Sequence, residues 1–530
     1  MQYFSFPVAD AGLYGSQMRD YVDGHPQLRP FYAFSPDINA FADVLSSRDS
    51  FPVNREALVE ALDGQLSGYY TAFPSIRANV QKLNSPTTFT VTTGHQLCLA
   101  TGPLFFIYKI ITAINLCHRL KQHYPHHDFV PVYWMAGEDH DLAEVDHVHL
   151  GGNRIQWSTD QQGAVGRMST IGLDVFIDEF GRTMPQGPYR EKALEMLKTS
   201  YQDHSTLGAA TRDLVLQLFG EDGLLVIDAD SLQLKKLLSP LFTAELSLNE
   251  SAPIVASTGE RLSRHYRLQA TARDINLFYI DKNLRERIVK DEEGHYVVLN
   301  TDLRFSREFI LDLAARQPDR FSPNVILRPL CQEILLPNIA YVGGPGELSY
   351  WMQLKDVFSH YDVFFPMLVP RNHAVLLPAR QYENFMKNGF SIPDLFRKPE
   401  ELIRSWLDAN EDLSSEAGRV SRELDAVYAR LKELLERTDV TLGPSVQAER
   451  QKALNGLDNL MKKGSAALKR RHEVVLSQVR AVVDMVNPGE EPQERRLNLF
   501  QFYPAVGPVL LEVLKTQLQP FDRNLQVIVY

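Results

Sequence analysis

The chain has little of what builds a site from a single residue type. Its 530 residues include only three cysteines, Cys98, Cys117 and Cys331, with no C-x-x-C pair, which excludes a disulfide framework and a cysteine-rich zinc site. Cys98 lies in a glycine-bearing loop and reads as a small buried thiol rather than a nucleophile. No apolar run approaches the roughly 20 residues that a membrane-spanning helix needs. The opening Met1-Gln-Tyr-Phe-Ser-Phe-Pro7 has neither a basic stretch nor an apolar signal core, so a cytoplasmic protein with no membrane partner is expected. Lysine and arginine form no long run, and 55 of them against 66 acidic residues leave a net charge of −11, so no nucleic-acid partner is expected. There is no G-x-G-x-x-G after the first clear strand, no G-x-x-x-x-G-K-[ST] and no G-x-S-x-G. These absences set aside a standard nicotinamide dehydrogenase, a P-loop ATPase and a nucleophile-elbow hydrolase.

What is present is an apolar content of 44%, enough for a large core and two to four domains. From about residue 80 to 380, β-branched or aromatic runs alternate with helical patterns, which predicts βαβ units and a mostly parallel sheet in an α/β fold. The runs predict strands at 87–93, 129–136, 223–229, 324–328 and 363–369, and helices at 103–121, 207–219, 232–247 and 347–359. The polar segment 282–320 interrupts this rhythm like an inserted lobe, and 1–80 reads as N-terminal helices on the core. An arm follows over 381–495. Leu413, Ala417, Val420, Leu424, Val427, Leu431 and Leu434 advance by alternating fours and threes as an a/d seam. Leu454, Leu457, Met461, Leu468, Val475, Val479, Val482 and Val486 form a second stretch, giving an antiparallel hairpin that ends at Asn487-Pro-Gly489. Such a seam predicts a homodimer through the arm. Residues 496–530 turn aromatic and β-branched again and return to the core.

Four clusters could carry chemistry. In the first, the run Thr87–Thr93 leads to Gly94, which lets the chain turn, and Thr101-Gly102-Pro103 reads as a helix cap with proline at the first helical position. That helix start would offer unpaired N–H groups to an anion. The second, Glu138-Asp-His-Asp141 with Glu144 and His147, follows a strand, where ligands of such sheets gather. A helix after Gly137 would place His140, Glu144 and His147 on one face, to bind a metal, hold an ammonium group or relay a proton; an acid-rich helix N-terminus is the plainer alternative. The third joins Gly343 and Gly344, suited to positive φ or close approach, with Asn338, Glu347, Tyr350 and Gln353; a tight connection between strand and helix would use the same glycines with no ligand. In the fourth, Arg371 follows a strand and could fork onto a phosphate.

The set Thr93-Gly-His-Gln96, Thr101-Gly-Pro103, Tyr108-Lys109, Ala136-Gly-Glu-Asp-His-Asp141, Arg328-Pro329, Tyr341-Val-Gly-Gly-Pro345 with Glu347, and Pro370-Arg371 closely resembles the bacillithiol-biosynthesis cysteine-adding enzyme family, the cysteine ligases, across essentially the whole chain. His95 stands where glutamine is frequent in that family. The resemblance implies a Rossmann-like core of the nucleotidyltransferase type with inserted connecting segments and a dimerising coiled-coil arm. It also implies the last step of bacillithiol synthesis, in which cysteine is joined through an amide to the glucosamine amine of glucosaminyl-malate. A carboxylate does not acylate an amine at neutral pH unactivated, so ATP is the expected cosubstrate, most simply through an aminoacyl-adenylate, and no tightly bound metal is expected. On this reading Gly94, His95, Gln96, Thr101 and Gly102, with Lys109, form the phosphate side, and Arg371 assists. Glu138, Asp139, His140 and Asp141 orient amino groups, with His140 a candidate base. Gly343, Gly344, Glu347 and Tyr350 line the remaining wall, and Arg328 meets the malyl carboxylates. Two rivals remain: a non-catalytic nucleotide-binding scaffold, and a metal-dependent amidohydrolase around His140, His147 and His149.

Overall fold

The computed structural model describes residues 1–530. They gather into two compact units, a larger one of Ser5–Val375 and Gln493–Val527, and a smaller one of Met1–Phe4, Leu376–Pro492 and Ile528–Tyr530. No helix is long and apolar enough to cross a membrane.

The larger unit is built on five parallel strands: β1 (Thr88–His95), β2 (Asp128–Met135), β3 (Leu225–Asp228), β4 (Asn338–Gly343) and β5 (Met367–Pro370). They lie in the order β5-β4-β1-β2-β3 with every neighbour parallel. The chain moves outward from β1 in one direction and from β4 in the other, so the order reverses between these two strands. In such sheets ligands bind beyond the carboxyl ends of the strands at that reversal. The first crossover is α1 (Leu104–His123), whose apolar faces are buried nearly all round. β1 is rich in threonine yet buried, and three of its four hydroxyls have partners: Thr90 and Thr92 donate to Asn338 Oδ1 (3.2 and 2.8 Å) and Thr93 to the Val342 carbonyl (2.9 Å), while that of Thr88 has none.

The expected strand at 324–328 does not form. Asn324 Oδ1 accepts from the Ile326 amide (2.9 Å) and turns the chain into helix Arg328–Leu335, with Pro329 in its first turn. The strand beside β1 is instead 338–343, whose Asn338 and terminal Gly343 disguise a short apolar run. The helix expected over 347–359 breaks at Leu354 into α2 (Pro345–Gln353) and Lys355–His360. Residues 1–80 are mainly helical but open with a strand, Gln2–Pro7. The inserted lobe is an antiparallel sheet that starts at Leu277 rather than 282. Its order is Arg304–Phe305, Tyr296–Val298, Leu284–Lys290, Leu277–Asp281, Phe321–Pro323.

In the smaller unit α3 (Leu413–Glu436) and α4 (Gly443–Arg471) form an antiparallel hairpin, continued by α5 (Glu473–Val486). Asp425 meets Arg450 at 2.8 Å, and Glu411 meets His472 at 2.6 Å. At Gly464 an added Cβ would stand 3.2 Å from Leu413, so glycine lets the helices approach. The expected seam is only half right. Leu413, Ala417 and Leu424 are half-buried, together with Tyr428 and Leu435, whereas Val420, Val427, Leu431 and Leu434 are exposed. Leu413, Leu424 and Leu435 recur every 11 residues, the spacing of nearly straight helices, so a seven-residue reading drifts off the true contact.

Candidate functional site

Beyond the ends of β1 and β4, Gly94 remains extended within β1 rather than turning. A Cβ there would crowd Tyr341 Oη at 3.3 Å and touch Arg328 Nη1 at 3.5 Å. Lys109, fully buried on α1, donates to the Gly94 carbonyl and to both Glu347 oxygens at 2.8 Å. Glu347 also accepts from Tyr341 Oη (3.0 Å) and the Gly344 amide (2.9 Å), closing the first turn of α2. Burial would raise the Glu347 carboxyl, but Lys109 overrides it and holds the group below its ordinary range. Arg328 lies over the rings of Tyr341 and Trp351, at 5.7 and 5.9 Å, and donates to Gln332 (3.1 Å). Tyr350 lies beside it, and its buried Nη2 has no partner.

Arg371 follows β5 and is buried. It donates to Glu494 at 2.6 Å and to the Asn372 carbonyl at 3.2 Å, while Nε has no acceptor and faces Gly344, where a Cβ would stand 3.5 Å away. His373 Nδ1 meets the same Glu494 carboxylate at 2.9 Å. Burial would raise that carboxyl, but Arg371 and His373 bring it down to about 2. His95 ends β1 between Phe105 (5.1 Å) and Phe106 (5.0 Å), and burial followed by the Lys109 charge lowers it to about 3, so it is neutral at physiological pH.

The loop after β2 is fastened from both sides. Gln96 Nε2 donates to Asp139 and Glu144, each at 2.8 Å. The Asp139 and Gly137 carbonyls accept from the amides of Val165 and Gly166, both at 2.7 Å, and a Cβ on Gly166 would strike Gly137 at 2.8 Å. Glu138 is paired at 2.5 Å with Lys235, which also meets Asp230 at 3.0 Å; Arg167 clasps Asp230 through two bonds of 2.6 and 2.7 Å. Asp228, at the end of β3, is pushed up to about 6 by burial and then by Asp230. From the inserted lobe, buried Arg285 donates to His140 Nδ1 at 2.6 Å. Gly94–Gln96 thus joins the two groups: the Lys109–Glu347 pair on one side and the loop at 137–144 on the other.

Several expected roles change. The start of α1 is not an open anion site: Pro103 is the cap rather than the first helical residue, and the Leu104 amide is taken by the Leu497 carbonyl. Thr101 is buried, and Asn498 Nδ2 donates to the carbonyls of Ala100 (2.6 Å) and Gly102 (2.7 Å). Thr101 and Gly102 therefore belong to a packed junction. Lys109 spends its charge inside the protein and positions Gly94 and Glu347. Gly343 and Gly344 have no positive φ; at Gly343 it is close approach that matters, since a Cβ would meet Leu348 at 2.7 Å. The acidic stretch forms only the single turn Leu142–Val145, and His147 opens strand His147–Leu150, so His140, Glu144 and His147 share no helical face. No three His, Cys, Asp or Glu side chains group as metal ligands. Asp139 is taken up by Gln96 and by the His140 amide (2.8 Å), whereas Asp141 is exposed. Asn338 and Gln353 are structural: the former also donates to buried Glu333 (2.8 Å), and the latter accepts from the amides of Gln269 and Ala270.

Lys235, Asp230, Arg167, Arg285 and Glu494 complete the cluster and escaped the sequence reading. Asp228 and Asp230 could have been found from the strand-end rule applied to β3. Arg285 carries no sequence signal, because it arrives from an inserted sheet.

Comparison with known proteins agrees with this architecture. Residues 3–372 match the family described as bacillithiol biosynthesis BshC, N-terminal Rossmann-like domain, and residues 374–530 match the BshC C-terminal coiled-coil domain. The chain is similar to proteins named "Putative cysteine ligase BshC": 38% identical to that of Flavobacterium psychrophilum, covering 98% of each chain, and 38% identical to that of Cytophaga hutchinsonii, covering 99% of each. The Salinibacter ruber protein of the same name is 30% identical, over 98% of this chain and 97% of its own.

Proposed function

Because this chain belongs to the bacillithiol-biosynthesis BshC family, we propose that it is a ligase joining the carboxyl group of L-cysteine to the glucosamine amine of glucosaminyl-malate. The observation that carries this reading is the polarity of the strand ends. Lys109, Arg328 and Arg371 gather at the β1–β4 reversal against Glu347 and Glu494, while Glu138, Asp139, Asp228 and Asp230 gather beyond β2 and β3 against Lys235, Arg167 and Arg285, so cations are in excess on one side and carboxylates on the other. Amide formation needs such a division, with donors for an anionic oxygen on one side and carboxylates for an amine on the other.

ATP fits the first side. Arg328 Nη2 and Arg371 Nε are buried donors without acceptors, and the missing side chains of Gly94 and Gly344 keep the space beside them clear. When bound there, ATP supplies a leaving group for the cysteine carboxylate oxygen. The protein's own contribution is positioning and charge stabilisation. Arg328 and Arg371 hold anionic oxygen, with Gly94 and Gly344 leaving room beside them and Tyr350 at the edge of Arg328. Glu347 and Lys109 keep β1 and α2 in register, and His95, neutral, offers a ring rather than a charge. Exposed Asp141 is left to receive an amino group. The exposed stripe Val420, Val427, Leu431 and Leu434 supports a homodimer through the arm.

Purified protein supplied with ATP, cysteine and glucosaminyl-malate should yield the ligated thiol by mass spectrometry. Absence of product, where a cell extract supports it, removes the ligase reading. Activity that requires a second protein would favour the scaffold. Stoichiometric zinc in the purified chain would favour the amidohydrolase.

A further inference from the structure

Arg285 stands on the inserted lobe, in strand Leu284–Lys290, where every neighbour fixes it. Its guanidinium lies 3.9 Å from the centre of the Phe278 ring, Nε donates to Ser322 Oγ at 3.0 Å, Nη2 donates to the Pro323 carbonyl at 3.1 Å, and Nη1 reaches His140 Nδ1 at 2.6 Å. The turn at Asn283 that begins this strand is met by Gly163, where a Cβ would come within 2.7 Å of the Asn283–Leu284 peptide. That approach ties the lobe to the same loop, 163–166, that holds Gly137 and Asp139.

A guanidinium has donors only. Nδ1 of His140 must therefore be the acceptor, and a neutral imidazole whose Nδ1 is a lone pair carries its hydrogen on Nε2. We propose that Arg285 is a positioning residue that locks His140 as the neutral Nε2–H tautomer, so that His140 is a hydrogen-bond donor to an oxygen of the substrates and not the base for the attacking amine. The charged groups around the ring are Arg285 and Glu286 from the lobe and Asp139 and Asp141 from its own loop. Burial and then Arg285 lower the imidazole below its ordinary range despite the three carboxylates. The tautomer assignment stands on the hydrogen bond alone; the donor role rests on the ligase reading above.

The test separates the two. In full-length protein labelled with 15N-histidine, long-range proton–nitrogen spectra compared with those of His140→Gln identify the ring. It should show the Nε2–H pattern and titrate below the ordinary range of an imidazole. Arg285→Leu should release it, mixing the tautomers and moving its titration upward, whereas Arg285→Lys, which keeps a donor, should restore the wild-type pattern. Unchanged signals from the other histidines report that each variant is folded. An Nδ1–H pattern in the wild type, or the same titration in wild type and Arg285→Leu, overturns the assignment whether or not the protein ligates cysteine. In turnover, His140→Gln places an amide N–H near the Nε2 position and should lose no more than about 30-fold in kcat, with Arg285→Leu shifting the acid limb of the pH profile. A loss of about 10³-fold or more in His140→Gln, in the range expected for removal of a general base, overturns the donor role.

Discussion

Two buried lysines stand at the strand ends and are handled in opposite ways. Lys109 has one carboxylate, Glu347, and a backbone carbonyl; burial, with Arg371 and Arg328 nearby, leaves it less basic than an ordinary lysine. Lys235 is equally buried but faces both Glu138 and Asp230, which outweigh burial and make it more basic. The β1–β4 side therefore keeps unspent positive charge, and the β2–β3 side keeps negative charge. The sheet ends are a polarised surface assembled from ion pairs that do not balance locally, and it is the imbalance, not the pairs, that recommends one side for anionic oxygen and the other for an amine.

The largest expected effect comes from breaking the leaner pair. Lys109→Met leaves Glu347 charged and unpaired beneath α2, and urea unfolding should show a loss of about 3–5 kcal/mol. Lys109→Met combined with Glu347→Gln should recover most of it, because the stranded charge is then gone. Next comes Glu494→Gln. The folded wild type holds this carboxyl at about 2 against an ordinary 4.5, so its contribution is full above 4.5 and is lost as the pH falls toward 2. The variant should lose on the order of 3 kcal/mol at pH 7, and its melting temperature should be flatter than the wild type's between pH 4.5 and 2. Lys235→Met should cost less, about 2–3 kcal/mol at pH 7.5, because the two carboxylates left facing one another can take up a proton. That deficit should shrink toward pH 5 in urea titrations; a deficit that does not change with pH would break the comparison between the two lysines. The smallest effect on fold stability is expected in the arm, where Val427→Asp with Leu434→Asp replaces exposed residues. Unfolding should move by less than about 0.5 kcal/mol, while sedimentation should report loss of the proposed dimer.

The parts legible in the sequence were those governed by local pattern. β-branched runs with turn residues placed β1, β2 and β3, and apolar periodicity placed the helices 207–219 and 232–248 almost to the residue. β4 was hidden because a strand that holds a buried polar bridge through Asn338 does not look apolar. Among site residues, Lys109, Glu347, Arg328 and Arg371 stood out in quoted motifs, but what each does with its charge did not. Whether a lysine meets substrate or a glutamate 238 residues away is decided by packing. The helix imagined over 138–147 failed for a related reason: Gln96, Val165, Gly166 and Arg285 all hold that loop from distant positions, and tertiary contacts overrode the periodicity.

The ion pair between Arg371 and Glu494 spans 123 residues of chain, because the whole arm is inserted between them. A ribosome adding about 5–20 residues per second delivers the carboxylate roughly 6–25 s after the guanidinium, and Asn498, which seals the start of α1, emerges later still. Until then Arg371 lacks that counterion and the carbonyls of Ala100 and Gly102 lack their Asn498 donor, so the end of β5 and the start of α1 reach their final contacts only once the arm has been made.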